Sequence, residues 1–136
     1  MVIAVDFDGT IVEHRYPGIG KEIPFATATL RQLIADGHEL ILWTVREGDL
    51  LQDAVDFCKK RGVTFFAVNR DFEEEDGSNS DFSRKIRADL FIDDRNVGGL
   101  LDWGTIYALI NNGKTLEEYL IDKGTLPKPK RWWWPF

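Results

Sequence analysis

The stretch Val2-Ile3-Ala4-Val5-Asp6-Phe7-Asp8-Gly9-Thr10 begins as an apolar run, passes into two aspartates separated by Phe7, and meets a glycine that permits an abrupt turn. A short apolar run closed by turn-forming residues is the pattern of a buried strand. In open α/β sheets ligands bind outside the carboxyl ends of the strands, which is where Asp6 and Asp8 emerge. Two carboxylates at this spacing can share one hard cation. They can also divide the chemistry, one attacking and the other transferring protons. The plainer alternative is a polar strand end whose aspartates cap the following turn.

Outward from this stretch, short apolar runs alternate with helical patterns, the signature of βαβ units. Glu39 to Trp43, Thr64 to Val68 and Ala88 to Ile92 read as further strands. Phe25 to Asp36 carries Ala26, Leu30, Leu33 and Ile34 at helical spacing, with Gly37 as its stop. Asp49 to Arg61 predicts a second helix ended by Gly62, with Cys58 on its apolar face and therefore core rather than nucleophile. Leu100 to Asn111 predicts a third. Thr115-Leu116-Glu117-Glu118 has the spacing of a capping box opening a fourth, to Asp122. Asp71 to Ser83 is acidic and aperiodic and reads as a loop. The expected fold is a single Rossmann-like α/β domain over 1–126, a mainly parallel sheet with helices on both faces. A Pro- and Trp-rich tail follows over 127–136.

Two other strand ends carry chemistry. Leu40-Ile41-Leu42-Trp43-Thr44-Val45-Arg46 finishes in a hydroxyl that suits a phosphoryl oxygen and a guanidinium that can reach a second anionic group. A turn-forming Thr is the alternative there. Leu90-Phe91-Ile92-Asp93-Asp94-Arg95 finishes in paired acids, which repel each other unless a cation lies between them. Arg84-Lys85-Ile86-Arg87 lies just upstream and offers an ammonium, or else a solvated surface.

Acid pair, Thr, Lys and acid pair, in that order, resemble the haloacid dehalogenase superfamily of phosphotransferases. Its first motif is matched by Asp6-Phe7-Asp8-Gly9-Thr10, its second by Thr44, its third by Lys85 and its fourth by Asp93-Asp94, over about Val2 to Arg95. The resemblance implies a Mg²⁺-dependent phosphatase in which Asp6 attacks phosphorus and Asp8 protonates the leaving oxygen, then activates water. Thr44 and Lys85 would hold the phosphoryl oxygens, with Arg46 nearby. Asp6, the Asp8 carbonyl, Asp93 and Asp94 would bind the metal. Lys85 stands close before Asp93, leaving little room for the helix that usually carries this lysine, so Arg84 or Arg87 is an alternative. Ile11 to Pro24 and Asn69 to Arg84 are too short to build a cap domain, so the resemblance implies a capless enzyme with an open site. His14, Arg15, Lys21, Arg46 and Arg70 are candidates to contact the leaving group.

Composition bounds the rest. The chain has 136 residues, 43% hydrophobic and 29% charged, as an ordinary globular domain has. Seventeen Lys and Arg against twenty-three Asp and Glu give a net charge of −6, which disfavours a broad nucleic-acid-binding face. The single cysteine excludes an internal disulfide and any cysteine-rich zinc site. The first apolar run is too short and too quickly charged for a signal peptide or membrane span, so a cytoplasmic location is the expectation.

The expected partner is a phosphorylated small molecule or phosphoprotein. A homo-oligomer formed through Trp132, Trp133 and Trp134 is a further expectation, since exposed indoles are poor surface unless covered. Two other classes stay open: a phosphoryl-accepting receiver-like domain, and an interaction protein anchored by the tail. A receiver would want adjacent acids at the first strand and a lone acceptor Asp at the third, whereas Val68 is followed by Asn69. Dinucleotide, NTPase-loop and EF-hand patterns are missing from the chain.

Overall fold

The computed structural model describes residues 1–70 and 86–128. The loop read at Asp71 to Ser83, Lys85, and the tail tryptophans lie outside the described residues. The chain divides into two compact units, Met1–Trp103 and Gly104–Phe136.

The first unit is a Rossmann-like α/β layer structure. Its elements are β1 (Val2–Val5), α1 (Ala26–Ala35), β2 (Glu39–Leu42), α2 (Gly48–Lys60), β3 (Ala67–Val68) and β4 (Leu90–Ile92). The strands form one parallel sheet in the order β3-β2-β1-β4. β1 is central because it is apolar on both faces: Ile3, Ala4 and Val5 are all buried. Val5 pairs with Leu42 on one side and with Ile92 on the other. Leu30 and Leu33 of α1 and Ala54 and Cys58 of α2 are buried at helical spacing, as the apolar periodicity predicted.

The two outer strands are shorter than their sequence runs. Of the Thr64 to Val68 run, Ala67 and Val68 form the strand beside β2, and the exposed Phe66 adds one backbone bond, its N–H donating to the Leu40 carbonyl at 2.7 Å. Just before β4, the Asp89 N–H donates to the Val2 carbonyl and the Asp89 carboxylate accepts the Val2 N–H, both at 2.7 Å, so side chain and backbone together tie this residue to β1. In the second unit, most of α3 (Trp103–Asn112) is followed by α4 (Leu116–Asp122). The capping box read at Thr115 is present: its hydroxyl accepts from the Glu118 N–H at 3.2 Å, and the Glu118 carboxylate accepts from the Thr115 N–H at 2.9 Å. No helix among the described residues is long and apolar enough to cross a membrane.

The chain winds from β1 to β2 to β3 in one direction and then returns to place β4 on the far side of β1. The crevice between β1 and β4 is therefore the topological switch point, where such sheets bind ligands.

Candidate active site

Asp6 follows β1 directly, and Asp93 and Asp94 follow β4. The Asp6 N–H donates to the Ile92 carbonyl at 3.0 Å, which continues the ladder by one step and brings the two strand ends level. One carboxylate oxygen from each of Asp6, Asp93 and Asp94 lies within 4.8 Å of the others. Burial pushes the Asp6 carboxyl up from 3.8 to about 7; a hydrogen bond from the Phe7 backbone opposes this, while the charges of Asp93 and Asp94 add to it. Three half-buried carboxylates gathered at one point, with oxygen as the donor throughout, suit a hard divalent cation such as Mg²⁺.

The second acid pair is oriented from β1. Thr10 is fully buried; its hydroxyl donates to Asp94 Oδ1 at 3.3 Å and accepts from the Asp94 N–H at 3.1 Å. The Thr10 carbonyl accepts from the indole Nε1–H of the buried Trp103 at 3.0 Å. Gly9 has φ +82°, and the Asp94 carboxylate fills the space a Cβ would need, so only glycine fits. Asp93 Oδ1 accepts from the Arg95 N–H at 2.8 Å.

Asp8 meets a different environment. Its side chain is buried, and both oxygens accept from Arg46, from Nε at 2.7 Å and from Nη2 at 2.8 Å. Arg46 is 1% exposed. Its remaining donors go to the carbonyls of Pro17 at 3.2 Å, Leu50 at 3.4 Å and Gly18 at 2.7 Å, so all five N–H groups have partners. The guanidinium also lies 5.2 Å from the ring centroids of Phe7 and Tyr16. The hydrogen bonds to Asp8 hold the guanidinium's pKa above its ordinary value, against the effect of burial. The expectation that Arg46 reaches an anionic group of the substrate thus meets an arrangement in which no guanidinium N–H is left to do so. Arg46 instead ties Asp8 to the loop after β1 and to the first turn of α2.

That loop is closed at its base. Glu13 N–H donates to the Lys21 carbonyl at 2.7 Å, Ile23 N–H donates to the Ile11 carbonyl at 2.8 Å, and Val12 bridges to Glu22. Gly20 lies against the Glu13 backbone, where a side chain would collide.

Thr44 is half-buried. Its N–H donates to Asn69 Oδ1 at 2.8 Å, and its hydroxyl accepts from the Arg46 N–H at 3.2 Å. Among the described residues nothing accepts its hydroxyl proton. Asn69 holds this turn from the end of β3 in a left-handed conformation, φ +54°.

Asp6, Asp8, Thr44 and Asp93 share one cleft of about 580 Å³. His14, Tyr16, Trp43, Val45 and Arg95 complete its lining. Of the leaving-group candidates only His14 lines it; Arg15, Lys21, Arg46 and Arg70 do not. The sequence reading passed over Tyr16, Trp43, Val45, Arg95 and Asn69. Trp43, Val45 and Asn69 carried a usable signal, since each stands at or beside the carboxyl end of a strand.

The chain is 60% identical to a conserved protein from Bacteroides thetaiotaomicron of known structure. The match covers 88% of this chain and 96% of that one, with a TM-score of 0.83. The two belong to one family. No family model and no curated protein matches the chain.

Proposed function

We propose that this protein is a Mg²⁺-dependent phosphomonoester hydrolase that works through an aspartyl-phosphate, a capless relative of the haloacid dehalogenase phosphatases. The observation that carries this reading is the convergence of Asp6, Asp93 and Asp94 at the switch point, where Asp6 and Asp93 line a cleft together with Asp8 and Thr44. The carboxylates of Asp6, Asp93 and Asp94, with the Asp8 carbonyl, would hold Mg²⁺, which supplies charge neutralisation for the acids and the phosphoryl oxygens.

Asp6 attacks phosphorus and forms the acyl phosphate as the leaving oxygen departs. Asp8, once it parts from Arg46 and takes up a proton from solvent, gives that proton to the leaving oxygen and then takes one from the water that cleaves the acyl phosphate. Thr44 donates its hydroxyl proton to a phosphoryl oxygen, and Arg95 adds positive charge at the cleft wall. Before the proton transfer Arg46 holds the Asp8 carboxylate, and it touches no substrate.

The test is phosphate release from a panel of phosphorylated metabolites and phosphopeptides, with and without Mg²⁺. Asp6→Asn is expected to lose at least about a thousandfold in kcat, with an unchanged circular dichroism spectrum. Full activity in Asp6→Asn overturns the mechanism.

One observation favours a second reading. Asp8 must leave a two-pronged bond to Arg46 before it can transfer a proton. If it stays there, Asp6 is phosphorylated but not turned over, as in a receiver domain. A phosphoenzyme persisting for many minutes supports that reading, and decay within seconds rejects it.

A further inference from the structure

The cleft has two unlike sides. The acids stand at the ends of β1 and β4; Trp43, Thr44 and Val45 stand at the end of β2, on the other side of β1. Adjacent strands lie about 4.8 Å apart, so the β2 side is one strand removed from Asp6. A phosphoryl group held at Asp6 and Thr44 would direct its ester substituent along this side.

Trp43 is held there rigidly. Its N–H donates to the Val5 carbonyl at 2.8 Å, and its side chain packs against the buried cluster of Ala4, Ile41, Ala67 and Ile86 while staying half-buried. Tyr16 is held as well, since its ring lies against the Arg46 guanidinium, which is itself fixed by all five donors. Even so, Tyr16 remains 48% exposed and Val45 89% exposed. The Tyr16 and Trp43 rings, anchored on one side and left open on the other inside a cleft, present preformed contact surface, and Val45 adds exposed methyls beside them. A volume of about 580 Å³ also exceeds what a phosphoryl group alone requires and falls within the range of small-molecule sites. A polyol substituent would bring hydroxyls that need partners, and Tyr16, Trp43 and Val45 offer mostly ring and methyl surface.

We propose that the side of the cleft formed by Tyr16, Trp43 and Val45 binds a planar aromatic ring, so that the substrate is an aromatic phosphomonoester, either a nucleoside monophosphate or an aryl phosphate. This rests on the phosphatase reading above. The rings supply stacking surface, and Thr44 and the acids fix the phosphoryl end.

The experiment compares AMP with ribose 5-phosphate, whose leaving groups are both primary alcohols and which differ by the base, and, as probes of a simple aryl ring, benzyl phosphate with cyclohexylmethyl phosphate, again two primary-alcohol esters. Hydrolysis is followed in the wild type, and binding of the same four compounds is followed by calorimetry in Asp6→Asn with Mg²⁺. The wild type is expected to favour at least one aromatic member over its partner by about tenfold in kcat/KM, the size of one stacking contact. Which pair discriminates tells a nucleobase from an aryl ring. In Tyr16→Leu and in Trp43→Leu the ratio is expected to fall toward one; Tyr16 is the safer variant because it lies on an exposed loop. Equal kcat/KM within both pairs, or a ratio unmoved in both variants, overturns the proposal. If no compound is hydrolysed, the phosphatase reading fails, and calorimetry still decides the ring site: equal affinities within both pairs overturn it, and a ring preference lost in Tyr16→Leu supports it.

Discussion

Asp6 and Asp8 stand at the end of the same strand, separated by one phenylalanine, and meet opposite electrostatic fates. Asp6 turns toward β4 and joins Asp93 and Asp94, so burial and like charge push its carboxyl up to about 7. Asp8 turns toward β2 and receives both prongs of a buried guanidinium. Because successive strand positions face alternate ways, residues two apart begin on the same face; the turn at Gly9 and the partners supplied by neighbouring strands separate these two. The comparison teaches that one side of the site gathers acids against one another, while the other pairs its acid with a cation of its own.

Removing that internal cation tests the contrast most severely. Arg46→Ala leaves a buried carboxylate unpaired and frees the carbonyls of Pro17, Gly18 and Leu50, so a loss of about 3–5 kcal/mol in unfolding free energy is expected. Chemical denaturation measures it. Combining Arg46→Met with Asp8→Leu is expected to recover much of the loss, because the cost comes mainly from the stranded charge. A loss below about 1 kcal/mol in Arg46→Ala would show that Asp8 finds solvent or another donor, and the contrast with Asp6 would dissolve.

This pair also marks where sequence reading stops. The strand-end acids were legible because local patterns fix both strands and the parallel register then brings their carboxyl ends level. Val5 opposite Ile92 places Asp6 beside Asp93 without further information. Thr115 was legible for a similar reason, since a capping box is closed within one turn. Arg46 was not, because its role depends on which anion lies nearest in space, and Asp8 is 38 positions away in the chain. The outer strands were overread: apolar runs at Thr64 to Val68 and Ala88 to Ile92 show strand propensity, but pairing begins only where a neighbour's backbone is in reach.

The side that gathers acids predicts a pH dependence. A carboxyl whose pKa is raised in the folded state binds its proton more tightly there than in the unfolded chain, so its contribution is complete below about pH 4 and is lost as pH rises through about 7. Discounted for the partial exposure of Asp6, the loss is on the order of 2 kcal/mol. Thermal unfolding in chelator is expected to show a Tm that falls across this window, and Asp6→Asn is expected to remove the fall and stabilise the metal-free protein at pH 8. Mg²⁺ is expected to raise the Tm more at pH 8 than at pH 5, because the cation competes with the proton for the same oxygens. Equal Mg²⁺ shifts at the two pH values would mean that the triad is not where the ion binds.

The smallest effect sharpens the other half. Asn69 braces the turn that delivers Arg46: its carbonyl oxygen accepts from the Thr44 N–H, and its amide donates to the Arg46 carbonyl at 3.4 Å. Its backbone is left-handed, so two contributions are separable by substitution. Asn69→Gly keeps the backbone comfortable and removes the hydrogen bonds, for an expected loss of about 1 kcal/mol. Asn69→Ala removes the same bonds and adds the strain of a Cβ at positive φ, for about 1 kcal/mol more. Denaturant unfolding of both variants gives the difference. If both cost the same, the turn shifts to relieve the alanine, and the loop carrying Thr44 and Arg46 is more pliant than its bonding implies. If Asn69→Gly costs nothing, the buried guanidinium positions this loop by itself, and the Asp8 side of the site is stabilised from Arg46 outward rather than from β3 inward.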